Sequence, residues 1–260
     1  MTFSFGPGSF RLLLALIVVI HHVSRVSLGE LAVYAFFNLS GFWMARVYRD
    51  KYQILNGGYK TFMTARLFRL LPLFLVGNIF AMVIESLSGR TLVFDLLNSF
   101  TWIDKVGFLF SNIGILGYNL QRHLFLVPAW SLDVEMQFYL LVPLFILLAN
   151  QYRIVGALSL IGIVYICKDN FAAKTILGFA IFFYAGMLAA IVNWKPSATL
   201  AKASAVLVVS ALAAALLLPE HLSVLLGGAR QSEGFQSRNI IFCSILAAFL
   251  FPATKPLTFN

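Results

Sequence analysis

Residues 70–88, LLPLFLVGNIFAMVIESLS, are nearly long and apolar enough to cross a bilayer by themselves, and the chain holds several runs like them. A helical crossing needs about 20 mostly apolar residues. In hydrocarbon every backbone N–H and C=O must be bonded within its own segment, so such runs have few options other than helix. Spans are predicted near 10–26, 31–48, 70–88, 131–149, 153–168, 175–193, 203–218 and 237–252, eight in all. Pro72 falls in the first turn of the third span, where a missing N–H costs little. Pro143 falls inside the fourth and should kink it. The expected fold is an all-α polytopic membrane protein forming one domain over residues 1–260.

Composition agrees. The chain is 60% hydrophobic and 11% charged, with mean hydropathy +0.89, where a soluble domain is nearer a quarter charged. A net charge of +9 would suggest nucleic acid in a soluble protein, but here the basic residues lie between spans and report topology instead. With the N-terminus cytoplasmic, the inner side holds Arg11, Arg46, Arg49, Lys51, Lys60, Arg66, Arg69, Arg153, Lys195, Lys202 and Lys255 against one acid, Asp50. That bias sets the N-terminus inside. No small-residue cleavage site follows the first apolar run, so it is kept as a span. Cys167 and Cys243 lack motif spacing and are read as small buried apolar residues, neither a disulfide nor a metal site. The aromatic-rich connection 89–130 is expected outside, as a partly helical lid or re-entrant segment, with 219–236 a second outer loop.

Four stretches carry polar chemistry into this apolar frame. Arg11 and His22 are eleven residues apart, close to three helical turns, so they share a face roughly 16 Å apart along the axis. An intramembrane histidine is a functional candidate and suits proton transfer near neutral pH. The alternative is an interfacial histidine bonded to a neighbouring helix, and His21, about 100° away around the helix, fits that better. In FFNLSGFWMARVYR (36–49), Asn38, Ser40 and Gly41 interrupt a span. Gly41 reads as a packing notch, and Ser40 as a residue able to face a site without nucleophile context. In ARLFRLLP (65–72), Arg66 and Arg69 lie three apart at the expected cytoplasmic N-terminal end of a helix. Amides, dipole and guanidiniums there suit a phosphate, while anchoring to anionic lipid accounts for them equally well.

The fourth stretch is PAWSLDVEMQFYLLVPLF (128–145). Trp130 reads as an interfacial anchor, Ser131 as a helix N-cap and Asp133 as a partner of the helix dipole. Glu135 is covered poorly by such roles. Asp133 with Gln137, and Ser131 with Glu135 and Tyr139, put polar groups on two faces, which points to a wet cavity. The topology places Glu135 at the outer end of the fourth span and His22 in the outer half of the first. A carboxylate holding an imidazole is a common acid–base pair.

Taken in order, Arg11 with His22, FFNLSGF, RLFRLLP, WSLDVEMQFYLLVP and FFYAGMLAA (182–190) resemble the acyltransferase-3 family of bacterial integral membrane O-acyltransferases. The resemblance covers most of the chain. It implies transfer of an acyl group, often acetyl, from acyl-CoA to a hydroxyl of a cell-surface carbohydrate or lipid-linked glycan. It implies His22 as catalytic, Arg11 as essential, Arg66 and Arg69 on the acyl-CoA side, and Glu135 within the tryptophan–serine–leucine signature. Ser40, Gly41, Trp130, Ser131 and Tyr139 are expected to support the site. Its partners would be the bilayer, acyl-CoA (acetyl-CoA foremost, with no metal) and the glycan acceptor, with no nucleic acid, in a bacterial cytoplasmic (inner) membrane. The family has about ten spans and a further closing segment, so the chain is expected to be short at its C-terminus. A transporter or flippase of an anionic lipid-linked sugar, and an inactive truncated member, are the rival readings.

Overall fold

The computed structural model describes residues 3–5, 7–23, 29–89, 97–167, 169–193, 197, 199 and 257–259. Within them the chain forms seven long α-helices: α1 (Pro7–Val23), α2 (Gly29–Val47), α3 (Gly58–Leu87), α4 (Trp102–Gly114), α5 (Trp130–Gln151), α6 (Arg153–Cys167) and α7 (Ile176–Ile191). The six predicted spans that fall on these residues are all helical; 203–218, 237–252, the loop 219–236 and Cys243 lie outside the described residues. The sequence reading missed a two-stranded antiparallel ribbon, Phe3–Phe5 with Leu257–Phe259, which pairs Phe3 with Phe259 and Phe5 with Leu257. Among the described residues, α3 and the 25-residue stretch Val127–Gln151 are long and apolar enough to cross a membrane.

The largest departure is α3. It begins at Gly58, twelve residues before the predicted span, and runs for 30 residues, about 45 Å. That exceeds the ~30 Å hydrocarbon core, so the helix carries a polar extension of two to three turns. The stretch YKTFMTARLFR lies outside the predicted span because its charges lower the hydropathy, yet most of its residues are sound helix formers. Gly57, at φ 70°, turns the chain in a left-handed conformation that suits glycine, just before the helix starts. Pro72 consequently sits in the interior of α3, not in a first turn.

Two compact units make up the chain: residues 1–43 with 182–260, and residues 44–181. In the first, α2 and α7 meet through glycines. A Cβ on Gly41 would lie 1.9 Å from the Phe183 carbonyl oxygen, and one on Gly186 would lie 1.9 Å from that of Asn38. The rings of Phe37 and Phe183 stack at 4.6 Å, as do those of Tyr34 and Phe182. Close backbone approach of this kind is how helices associate when hydrocarbon gives no hydrophobic drive.

In the second unit, the N-terminal half of α3 faces α5. The Tyr59 hydroxyl donates to the Leu140 carbonyl at 2.9 Å, and the Phe62 ring meets that of Tyr139 at 6.0 Å. The C-terminal half of α3 faces the connection: Phe74 meets Tyr118 at 5.2 Å, and Asn78 donates to the Asn112 side chain at 2.7 Å. The connection is therefore partly helical, as predicted, and runs along the third span. Its helix α4 opens on a capping box. The Thr101 hydroxyl donates to Asp104 at 2.8 Å and accepts from the Asp104 amide at 3.3 Å. The Thr101 hydroxyl first, and then the Thr101 amide, which donates to the Asp104 carboxylate at 3.2 Å, hold the Asp104 carboxyl below the ordinary carboxylate range. Trp102, Ile103, Val106, Leu109, Phe110 and Ile113 point outward on α4, while Ser111 is buried. Apolar outside and polar inside suits a hydrocarbon surround.

Candidate functional site

Two sequence motifs that looked far apart converge in the second unit. Arg66 on α3 sits with its guanidinium carbon 5.5 Å from the centre of the Phe62 ring and 5.9 Å from that of Tyr139. Tyr139 is buried on α5 and donates its hydroxyl to Glu135, one turn earlier on the same helix. The sequence put Arg66 at the cytoplasmic start of one span and Glu135 at the outer mouth of another. The contact of α3 with α5 corrects this, because Arg66 is level with Tyr139 and one turn from Glu135. Arg66 Nε is buried and has no hydrogen-bond partner among the described residues.

The proposed use of a helix N-terminus by Arg66 and Arg69 does not survive. Arg66 lies eight residues inside α3, more than two turns from Gly58. The unpaired amides of a helix belong to its first turn, so none is free at this level. Arg66 and Arg69 also differ: Arg66 is half-buried and Arg69 exposed.

The start of α5 differs from its reading too. Ser131 is not the N-cap. Ala129 holds that position without a side-chain bond, and the Ser131 hydroxyl donates back to the Pro128 carbonyl at 3.1 Å. The 3-10 turn Val127–Ala129 runs directly into α5, so the helix continues from a preceding turn where a cap was expected. Trp130 packs on Phe179 with ring centres 5.4 Å apart. Asp133 is no exposed dipole partner. It is fully buried, and its carboxylate accepts from the Gly117 amide (3.0 Å), the Asn119 amide (2.9 Å) and the Gln137 side chain (2.8 Å). Gln137 in turn accepts from the Ile176 amide at 2.9 Å, and Asn119 donates to the Lys174 carbonyl at 2.7 Å. Asp133 thereby ties the 116–120 turn, α5 and the start of α7 together, beside the helix face that carries Glu135.

In the first unit, Arg11 and His22 lie on the unbroken helix α1, as their spacing required. His22 is exposed in the last turn, with its ring edge-on to His21 at 5.2 Å. His21 packs where a Cβ on Gly29 would fall, at 2.4 Å, in keeping with a structural role. Ser40 is buried, and Gly41 is the packing notch its residue type suggested. Asn38 Oδ1 is buried without a hydrogen-bond partner among the described residues.

Sequence reasoning missed a polar seam on α3. Asn78 accepts from the Tyr118 hydroxyl at 3.1 Å as well as bonding Asn112, and Glu85 meets His123 Nε2 at 3.0 Å. Asn78 and Glu85 stand seven apart, on one face of the apolar C-terminal half of α3. Polar residues at that spacing inside a predicted span are the signal that would have found them.

The described residues are mostly helical with apolar outer faces, and α3 and α5 bring Arg66, Tyr139 and Glu135 together close to the tryptophan–serine–leucine stretch. A family model described as an acyltransferase domain matches residues 8–257, and the chain belongs to that family, acyltransferase-3. It is similar to acyltransferase MdmB of Streptomyces mycarofaciens, with 34% identity over 135 residues covering 48% of this chain. The match spans 30% of that relative's length. No solved structure matches.

Proposed function

We propose that the protein is an integral membrane O-acyltransferase, polytopic with a cytoplasmic N-terminus, in a bacterial inner membrane. It moves an acyl group, acetyl foremost, from acyl-CoA to a hydroxyl of a cell-surface carbohydrate or lipid-linked glycan. The observation that carries this is the buried Nε of Arg66, unpaired among the described residues, beside the Tyr139–Glu135 pair. A guanidinium with an idle buried donor is costly unless a ligand oxygen comes to meet it. Family membership supports an acyl donor as the source of that oxygen.

In the proposed mechanism, CoA approaches the Arg66 and Arg69 face of α3 from the cytoplasm. His22, with Arg11 on the same helix α1, takes the proton of the acceptor hydroxyl as its oxygen attacks the thioester carbon. The C–O bond forms, the C–S bond breaks, and the proton passes to the leaving thiolate. Imidazole is suited to both transfers near neutral pH. Labelled acetyl transfer by His22→Ala in membranes tests this: loss of about 10²-fold or more is expected, and wild-type turnover would overturn the role of His22.

A further inference from the structure

Within the acyltransferase reading, on which this rests, we infer that the two arginines of RLFR divide the donor between them. Arg66 receives the thioester carbonyl oxygen, and Arg69 meets the phosphate end of CoA. The two are chemically identical and three residues apart, so their surroundings decide. Arg66 is half-buried between the Phe62 and Tyr139 rings, with Nε buried and unbonded among the described residues. The Tyr139 hydroxyl donates to Glu135, and its oxygen is not bonded to Arg66 Nε. What fits that donor is a small acceptor oxygen that gains charge only as bonds change. A phosphate fits poorly. It would have to lose its hydration there and bring standing negative charge next to the Glu135 carboxylate. Arg69 is exposed, and a hydrated fork of donors is the usual partner of a phosphate.

The step is then complete at the atomic level. Attack by the acceptor oxygen turns the carbonyl into a tetrahedral oxyanion, which Arg66 N–H stabilises. Collapse expels the CoA thiolate, and the proton lost by the acceptor hydroxyl passes to it.

The test uses membranes holding the full chain and the cell's own glycans, with acetyl-CoA and CoA as probes. Binding of labelled CoA and the maximal rate of label transfer are measured for Arg66→Gln, Arg66→Lys and Arg69→Gln. Arg66→Gln should lower the maximal rate by about 10²–10³-fold, the size of losing one oxyanion donor, with CoA affinity within about twofold of wild type. Arg66→Lys, which keeps the charge over the rings but has no Nε donor, should bind CoA normally and remain slow. Arg69→Gln should weaken CoA binding about tenfold or more and keep its rate at saturation. Arg66→Lys at wild-type rate, or Arg66→Gln losing CoA affinity as Arg69→Gln does, overturns the division. A wild type that labels nothing overturns the acyltransferase reading itself and the division with it.

Discussion

Replacing Asp133 with alanine removes one carboxylate and strands three donors at once: the amides of Gly117 and Asn119 and the Gln137 side chain, bonded at 3.0, 2.9 and 2.8 Å. A hydrogen bond to a charged group is worth about 1.5–3 kcal/mol net. Two terms reduce the sum. The three donors belong to half-buried residues, so water regains part of what the carboxylate supplied. Losing a buried charge also returns its desolvation cost. A net loss of about 2–4 kcal/mol follows. In a chain of this size that lowers the melting temperature by roughly 5–15 °C. Asp133→Asn should be little better, because an amide offers one oxygen where the two backbone N–H groups need two. Melting in detergent, followed by tryptophan fluorescence, gives the overall loss, and hydrogen exchange at Gly117 and Asn119 locates it. Those two amides should exchange about 30- to 1,000-fold faster, the same energy expressed as a rate. A melting temperature within 2 °C of wild type (~0.5–1 kcal/mol), or unchanged exchange at both amides, would refute the reasoning.

Three further outcomes can be checked. Gly41→Ala and Gly186→Ala each push a methyl to 1.9 Å from a facing carbonyl oxygen, so each should cost about 1–3 kcal/mol or more in a melting assay. Gly107→Ala, whose Cβ meets nothing within 4 Å, should be neutral or slightly stabilising. Because its carboxyl is held below the ordinary value of about 3.9, Asp104 contributes to the start of α4 above that pH. It loses the contribution as pH falls through its lowered pKa. Amide exchange at residues 102–105 should therefore loosen on acidification in the wild type and show no such transition in Asp104→Asn; equal acid loosening in both would remove the cap from the account.

Much of the fold could be read from the sequence, and the reasons are physical. A run of apolar residues in lipid must be helical, so α1, α2, α5, α6 and α7 fall within a few residues of their predicted ends. Span length and charge bias, however, carry no information about which residue of one helix lies level with which residue of another. Charge bias alone therefore separates Arg66 and Glu135 to opposite ends of the membrane, although their helices bring Arg66 over Tyr139. Asp133 misled for a related reason. An acid in the first turn of a helix is accounted for by the dipole, and nothing in WSLD announces that two amides from the 116–120 turn will reach it. The extension of α3 was hidden by its own charges. The packing role of Gly41 was legible, since a glycine in an apolar helix has few other uses.

The central proposal is that the protein carries an acyl group from CoA to a hydroxyl, with His22 and Arg66 each required. Its most direct test is incubation of membranes holding the full chain with acetyl-CoA labelled in the acetyl group, followed by mass spectrometry of the surface glycans. The account predicts a labelled ester that mild base removes, present with wild type and nearly absent with His22→Ala and Arg66→Gln. An ester formed equally by the variants would contradict the assigned site, and intact glycan moved across the membrane without label would contradict acyl transfer itself.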